Sequence, residues 1–299
     1  LERTIDFLKY KYIAFVFSFI LLCVFIIGTV ARGGMVYGID FAGGTKIIAA
    51  FKDPSVNEGA IREALSAYSP TVQQIGEAEK NEYIITFKLI TSGEDDTVSG
   101  AELEKQSRIK ADLNSKFPGM VIESEENVGP AIGAFLKKSA IKLFLIALIL
   151  MTLYLTFRFE FKYSMGTMGA LVHDVTLCLA FCGFAGVEIS IPVVAALLTI
   201  FGYSVNDTIV IFDRIRENTQ VKSREIFSEV VNKSLTQSLS RTLLTSLTTL
   251  FAVMSLYLLG GDVLNDFALV LLFGIFIGTY STVYLASPIL IGWEKLKSR

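Results

Sequence analysis

Reactive side chains are scarce in this chain of 299 residues, which has one histidine and three cysteines. A single imidazole, His173, excludes His-rich metal centres and leaves little for a catalytic triad. Cys23, Cys178 and Cys182 lie in apolar runs, and their spacing forms neither a disulfide framework nor a zinc site. Cys178 and Cys182, one helical turn apart, read as small core residues. Gly38, Gly43 and Gly44 do not belong to a GxxxxGK[ST] phosphate loop, so they read as backbone turns and nucleotide chemistry has no site. Charge is thin as well, at 19% against the roughly 25% of a soluble domain. The formal net of −2 points to no partner class, and no nucleic-acid partner is expected.

What the chain has instead is apolar length. Apolar residues make up 52% of it and the mean hydropathy is +0.55. Residues 12–30 carry no charge. That matches the roughly 20 apolar residues needed to cross a bilayer and exceeds the apolar core of a signal peptide, despite a faint cleavage-like Thr29-Val30-Ala31. The chain begins at Leu1, so further residues are expected upstream. Five more apolar stretches, at about 139–157, 165–186, 192–212, 242–260 and 267–291, bring the expected spans to six. Lys142 near the end of the second can snorkel. Fourteen Lys and Arg residues fall in the termini and in the loops after spans two and four, and none in 187–191 or 261–266. The positive-inside rule then makes both termini cytoplasmic and the block between spans one and two extracytoplasmic.

That block, residues 33–137, has 16 acidic and 10 basic residues. Thr45, Ile47, Ala49 and Phe51 alternate as a strand does. Ser55 and Glu58 have capping-box spacing and predict a helix start, with Ile61, Ala64, Leu65 and Tyr68 as its apolar face. Strands are predicted at 71–77 and 81–90. Ser99 and Glu102 predict a second helix, running to Phe117 and ending at Pro118-Gly119, before a last strand over 120–127. The order βαββαβ predicts a ferredoxin-like α+β domain. Three regions follow: 1–32 with the first span, 33–137 as the exported domain, and 138–299 as a five-helix membrane region.

The informative residues are charges inside the spans. Asp174, beside His173, lies midway along span three, and Asp207, beside Asn206, in span four. A carboxylate at a span centre costs about 2.5–3.5 kcal/mol on insertion scales, and such residues usually face the bundle interior on ion or proton pathways. The competing reading is a hydrogen-bonded Asp that ties helices together. His173 is a possible relay to Asp174 or simply a neutral polar residue. Asp213 and Arg214 sit at the end of span four. Arg214 is two turns from Asp207, which permits a gating pair; an ordinary interfacial charge is the alternative. Span five carries Thr242, Thr245, Ser246, Thr248 and Thr249, which read chiefly as packing and secondarily as a hydrated lining. Gly274 and Gly278 form a GxxxG, read as packing.

Several segments resemble a known family. GIDFAGGT (38–45), VGPAIG (128–133), FRFEFKYSMGTMGALVHD (157–174), GYSVNDTIVIFDRIREN (202–218) and TLLTSLTTL (242–250) resemble motifs of the SecD/SecF export family, in their SecF form, and run through nearly the whole chain in order. The resemblance implies a six-helix membrane bundle that is half of a resistance-nodulation-division type transmembrane domain. It implies pairing with SecD, association with the SecYEG channel and YajC, and preprotein substrates handled across the lipid bilayer. It implies coupling to protons or sodium ions with no other cofactor. Functional Asp and Arg residues of the family lie in the middle spans, which points here to Asp174, Asn206, Asp207, Asp213 and Arg214.

Three other functions compete. A lipid or small-molecule pump of the same superfamily generally carries two such halves in one chain. An intramembrane aspartyl protease would need a GxGD signature, and Asp207 follows Gly-Tyr-Ser-Val-Asn instead. A passive scaffold for SecD would need neither carboxylate.

Overall fold

The computed structural model describes residues 4–75, 80–88, 100–221 and 226–297. Six helices are long and apolar enough to cross a membrane. The first, α1 (Lys11–Ala31), is followed by a single turn, α2 (Ile39–Ala42), and the inserted domain. Then come α5 (Pro130–Arg158), α6 (Phe161–Ala185), α7 (Ile191–Val221) and α8 (Phe227–Leu259). The sixth span, Leu264–Leu296, is built from α9 (Asp262–Ser281) and α10 (Ser287–Lys297), joined by a π-helical turn over Thr282–Ala286. The apolar runs locate all six spans but understate their length. The helix α8 begins at Phe227, well before residue 242, because Val230, Val231, Ser234, Leu235 and Ser238 give its polar half one buried face. Hydropathy registers only the part that lipid surrounds, whereas a helix continues wherever one face is covered.

The domain contains β1 (Gly44–Ala50), α3 (Glu58–Ala64), β2 (Thr71–Ile75), β3 (Glu82–Lys88), α4 (Gly100–Lys116) and β4 (Val121–Val128). Its four strands form one antiparallel sheet in the order β2-β3-β1-β4. Alternation along β1 and β3 holds: Ile47 and Ala49 are fully buried, and Tyr83, Ile85 and Phe87 nearly so. They meet Ile61, Leu65, Ile109 and Leu113 of the helices in one core. Burying each large aliphatic or aromatic side chain is worth about 1.5–3 kcal/mol.

One expected boundary moves. The cap of α3 is Asn57, whose side chain accepts from the Ala60 N–H at 3.0 Å, and not Ser55. Ser55 is held in a turn, its N–H and hydroxyl both donating to Asp53 Oδ1 at 2.9 and 2.7 Å. Asp53 competes for the serine that the capping-box spacing assigns to the helix. Ser99, and the ends of the strands predicted at 71–77 and 81–90, lie outside the described residues.

The chain leaves and re-enters the bundle at one place. Gly43 adopts φ +76°, a conformation that glycine takes without steric cost, beside Pro130. Gly133 lies so close to Phe41 that an added Cβ would stand 3.1 Å from the Phe41 carbonyl oxygen. The segments GIDFAGGT and VGPAIG thus pack on one another as the root of the domain.

Candidate functional site

The costly carboxylates lie where four helices meet. Asp174 on α6 is fully buried. Its Oδ2 accepts hydrogen bonds from Ser204 Oγ of α7 and from Ser281 Oγ of α9, both at 2.7 Å. Its Oδ1 lies 2.9 Å from His173 Nδ1, and the other ring nitrogen, His173 Nε2, is buried without a hydrogen-bond partner. Asp207 stands on α7 one turn from Ser204 and is 3% exposed, so it too is enclosed by the bundle. Ser246 Oγ of α8 lies 3.3 Å from Asp207 Oδ2 and 2.8 Å from Thr279 Oγ1 of α9. The Thr208 and Thr282 hydroxyls, 3.0 Å apart, add a further polar contact between α7 and the sixth span. A thin polar seam therefore crosses the bundle inside otherwise apolar packing.

Small residues make this seam possible. Gly278 on α9 faces Ser204, and an added Cβ would stand 3.2 Å from the Ser204 Cβ. A methyl at Gly274 would overlap Ile200, so α7 and α9 touch almost backbone to side chain. Close approach of this kind is what small-residue motifs supply in membranes, where packing and hydrogen bonding hold helices together. The π-helical turn starts immediately after Ser281. Such bulges concentrate at functional sites because they re-aim the following side chains.

The remaining sequence-predicted residues are placed elsewhere. Arg214 does not pair with Asp207. Its Nε donates to Gln237 Oε1 at 2.8 Å and its guanidinium meets Glu217 Oε2 at 2.6 Å. Asn206 and Asp213 are exposed on α7, turned away from the seam. On α8, Thr242 is buried with an unpartnered hydroxyl, Thr249 accepts from the Tyr203 OH at 3.4 Å, and Thr245 bonds its own helix. Ser204, Thr279, Ser281 and Thr282 were not marked by the sequence. The one available signal was Ser204 three residues before Asp207, on the same helical face. Among the described residues, no three His, Cys, Asp or Glu side chains gather as a metal-holding group.

The seam is tied to the root of the domain at the other end of α7. Ile191, its first residue, donates its N–H to Asp40 Oδ2 of α2 at 2.7 Å. The Gly38 N–H donates to the Ile189 carbonyl and the Ile189 N–H to the Val36 carbonyl, each at 2.8 Å. The Glu188 N–H donates to Asp266 Oδ2 at 3.1 Å. Between this rim and the underside of the sheet lies a cleft of about 350 Å³, lined by Asp40, Lys46, Thr86, Glu126, Glu188 and Asp266 among others.

Comparison with known proteins adds a family. The profile "Protein export membrane protein SecD/SecF, C-terminal" matches residues 108–296. The protein translocase subunit SecF of Desulfurispirillum indicum is 40% identical over 297 residues, covering 97% of this chain and 92% of that one. The protein translocase subunit SecDF of Thermus thermophilus is 38% identical over 92% of this chain, which spans 37% of its length. The crystal structure of SecDF from the same genus and species, described as a translocon-associated membrane protein, superposes with a TM-score of 0.81 at 33% identity. That match covers 98% of this chain and 39% of the SecDF chain.

Proposed function

Because the chain belongs to the SecD/SecF family of protein-export membrane proteins, we propose that it works with a SecD-like partner to turn an ion gradient into preprotein movement. A SecDF relative carries in one chain the part that matches here together with more, which supports SecD as the partner. The proposed setting is the bacterial inner membrane beside the SecYEG channel, with YajC as a further associate. The fourteen Lys and Arg residues in the termini and in the loops after spans two and four support cytoplasmic termini and an extracytoplasmic domain over 33–137. The six spans read as one half of a resistance-nodulation-division bundle. The sheet order with its two intervening helices supports a ferredoxin-like domain.

One observation carries this reading. Two buried carboxylates sit on a hydroxyl seam in α6–α9, and α7, which bears Asp207, is hydrogen-bonded at its first residue to the root of the inserted domain. Protons, or sodium ions, are the proposed coupling ions, and no nucleotide is hydrolysed. Asp174 and Asp207 alternate between ion-loaded and empty states, and His173 serves Asp174 as a relay. Ser204, Ser281 and Ser246 hold the carboxylates in place as positioning residues. One elementary charge crossing 100 mV supplies about 2.3 kcal/mol. That suffices to bias a conformational equilibrium separated by a few kcal/mol, provided loading differs between its two states.

The test is preprotein export into vesicles containing the translocation channel, the SecD-like partner and this chain. Asp174→Asn and Asp207→Asn are each expected to abolish the gradient-dependent part of export while the chain still assembles. Retention of that part with both carboxylates replaced, but not when the chain is deleted, would make the protein a scaffold.

A further inference from the structure

The threonines of α8 behave alike with one exception. Thr236, Thr245 and Thr249 each donate to the carbonyl one turn earlier on their own helix. That bond is open to any helical threonine. Thr242 forgoes it: the residue is 2% exposed, and its hydroxyl has no hydrogen-bond partner among the described residues. A buried hydroxyl left unpaired carries its full desolvation cost, which a valine of the same shape would avoid. Packing alone therefore does not account for a threonine here.

The place of Thr242 on the helix gives the hydroxyl a use. From residue 238 onward the buried residues of α8 are Ser238, Thr242 and Ser246, one turn apart on one face. Ser246 bridges Asp207 of α7 and Thr279 of α9, so this face carries Thr242 into the wedge between those helices. Side-chain contacts also set the register of α8 against α7. Tyr203 meets Thr249, Asp207 meets Ser246, Arg214 meets Gln237 and Asn218 meets Ser234. Thr242 is therefore level with the stretch between the Asp207 carboxylate and the hydrogen-bonded group of Arg214, Gln237 and Asn218. Toward the domain the interior is apolar instead. Cys178, Cys182, Val193, Ala196, Leu197 and Ile200 are each at most 1% exposed and pack in one cluster.

We propose that Ser238 and Thr242 line a water-filled path along the α7–α8 contact, by which the coupling ion passes between Asp207 and the cytoplasmic side. Water gives the Thr242 hydroxyl the partner that protein atoms do not. Arg214, Gln237 and Asn218 form the mouth of the path. It opens to one side only, because an ion crossing the apolar cluster would lose its hydration without compensation. The inference rests on the ion-coupled reading of Asp207 and adds the side from which that carboxylate is reached.

The test uses the full chain with its SecD-like partner in vesicles whose cytoplasmic face is outward. Cys23 is replaced, and the buried Cys178 and Cys182 set the background. A small, membrane-impermeant methanethiosulfonate cation probes Ser238→Cys, Thr242→Cys and, as a lipid-facing control, Leu244→Cys. The reacting species is the thiolate, which forms in water and not in lipid, so cysteines at 238 and 242 are expected to react about tenfold faster than at 244. Reaction at 242 no faster than at 244 overturns the path, whatever export shows. Export reads the same residue independently. Thr242→Val is expected to slow gradient-dependent export several-fold without lowering thermal stability, and Thr242→Ser to restore it. Full export in Thr242→Val also overturns the proposal; if Asp207→Asn is inactive in the same assay, the ion-coupled reading stands without it. If Thr242→Val unfolds early, the thiol rates decide.

Discussion

Replacing Gly274 by Ala tests whether the polar seam depends on the closeness of α7 and α9. The added methyl would overlap Ile200 Cδ1 and Cγ1 and stand 3.1 Å from its Cγ2. Ile200 is 1% exposed, and a β-branched side chain in a helix has essentially one χ1 rotamer, so it cannot turn aside. Overpacking of this kind costs about 1–3 kcal/mol. Ile200→Ala alone leaves a cavity and costs about 2–5 kcal/mol. Placed together, the new methyl enters the space that the isoleucine vacates. The double variant is therefore expected to be more stable than Ile200→Ala alone, reversing the sign of the Gly274→Ala effect. Reversible unfolding of the purified chain in mixed micelles measures all four corners of the cycle, and coupling between touching residues is typically about 0.5–3 kcal/mol. Gly278→Ala serves as the control. Its methyl meets Ser204 at 3.2 Å, so it is expected to cost less and to gain nothing from Ile200→Ala. Additive losses in the double variant would refute the geometry of the seam.

Asp40→Ala removes the carboxylate that accepts from the first N–H of α7, a capping loss worth about 0.5–2 kcal/mol. Amide exchange at Ile191 is expected to quicken correspondingly, about twofold to thirtyfold, while the Glu188 amide bonded to Asp266 is unchanged; unaltered exchange at Ile191 would break the proposed tie between domain and bundle. In the domain, Glu125 is held below the usual carboxylate range by its hydrogen bond to Lys110, with Asn127 adding to this and partial burial opposing it. A carboxyl with a depressed folded-state pKa adds stability that is present above its unfolded value, near 4.3. That stability is lost as pH falls through the folded value. The domain's melting temperature should therefore fall more steeply below about pH 4 in the parent chain than in Glu125→Gln, by an amount limited to under about 1 kcal/mol because the pair is partly exposed. Parallel pH profiles would contradict the pairing.

Much of this architecture is legible in the sequence, for physical reasons that also mark the limit. Apolar runs are dictated by lipid, so all six spans stood out, and alternation along 45–51 and 83–87 is dictated by a one-sided core. Asp174 and Asp207 stood out because a carboxylate in a span is costly wherever it faces. What they face was not legible. Ser204 and Ser281 are ordinary residues of membrane helices until folding brings them 2.7 Å from Asp174. Arg214 shows the opposite error. Seven-residue spacing places it on the face of Asp207, but a flexible side chain at a helix end bonds whatever is near, here Gln237 and Glu217. The π-helical turn over Thr282–Ala286 leaves no mark in composition. Asp40 was visible only as part of a motif, and its contact with Ile191 spans 151 positions of sequence.

The central claim is that ion loading of the buried carboxylates moves the domain. Inter-dye distance in single molecules measures it directly, with labels at Ser115→Cys on the domain and Ser255→Cys on α8, both exposed, and Cys23 replaced. The chain is reconstituted with its SecD-like partner and a gradient is imposed. The predicted result is a gradient-dependent change in distance that disappears in Asp174→Asn and in Asp207→Asn. The same change persisting with both carboxylates replaced would contradict the account.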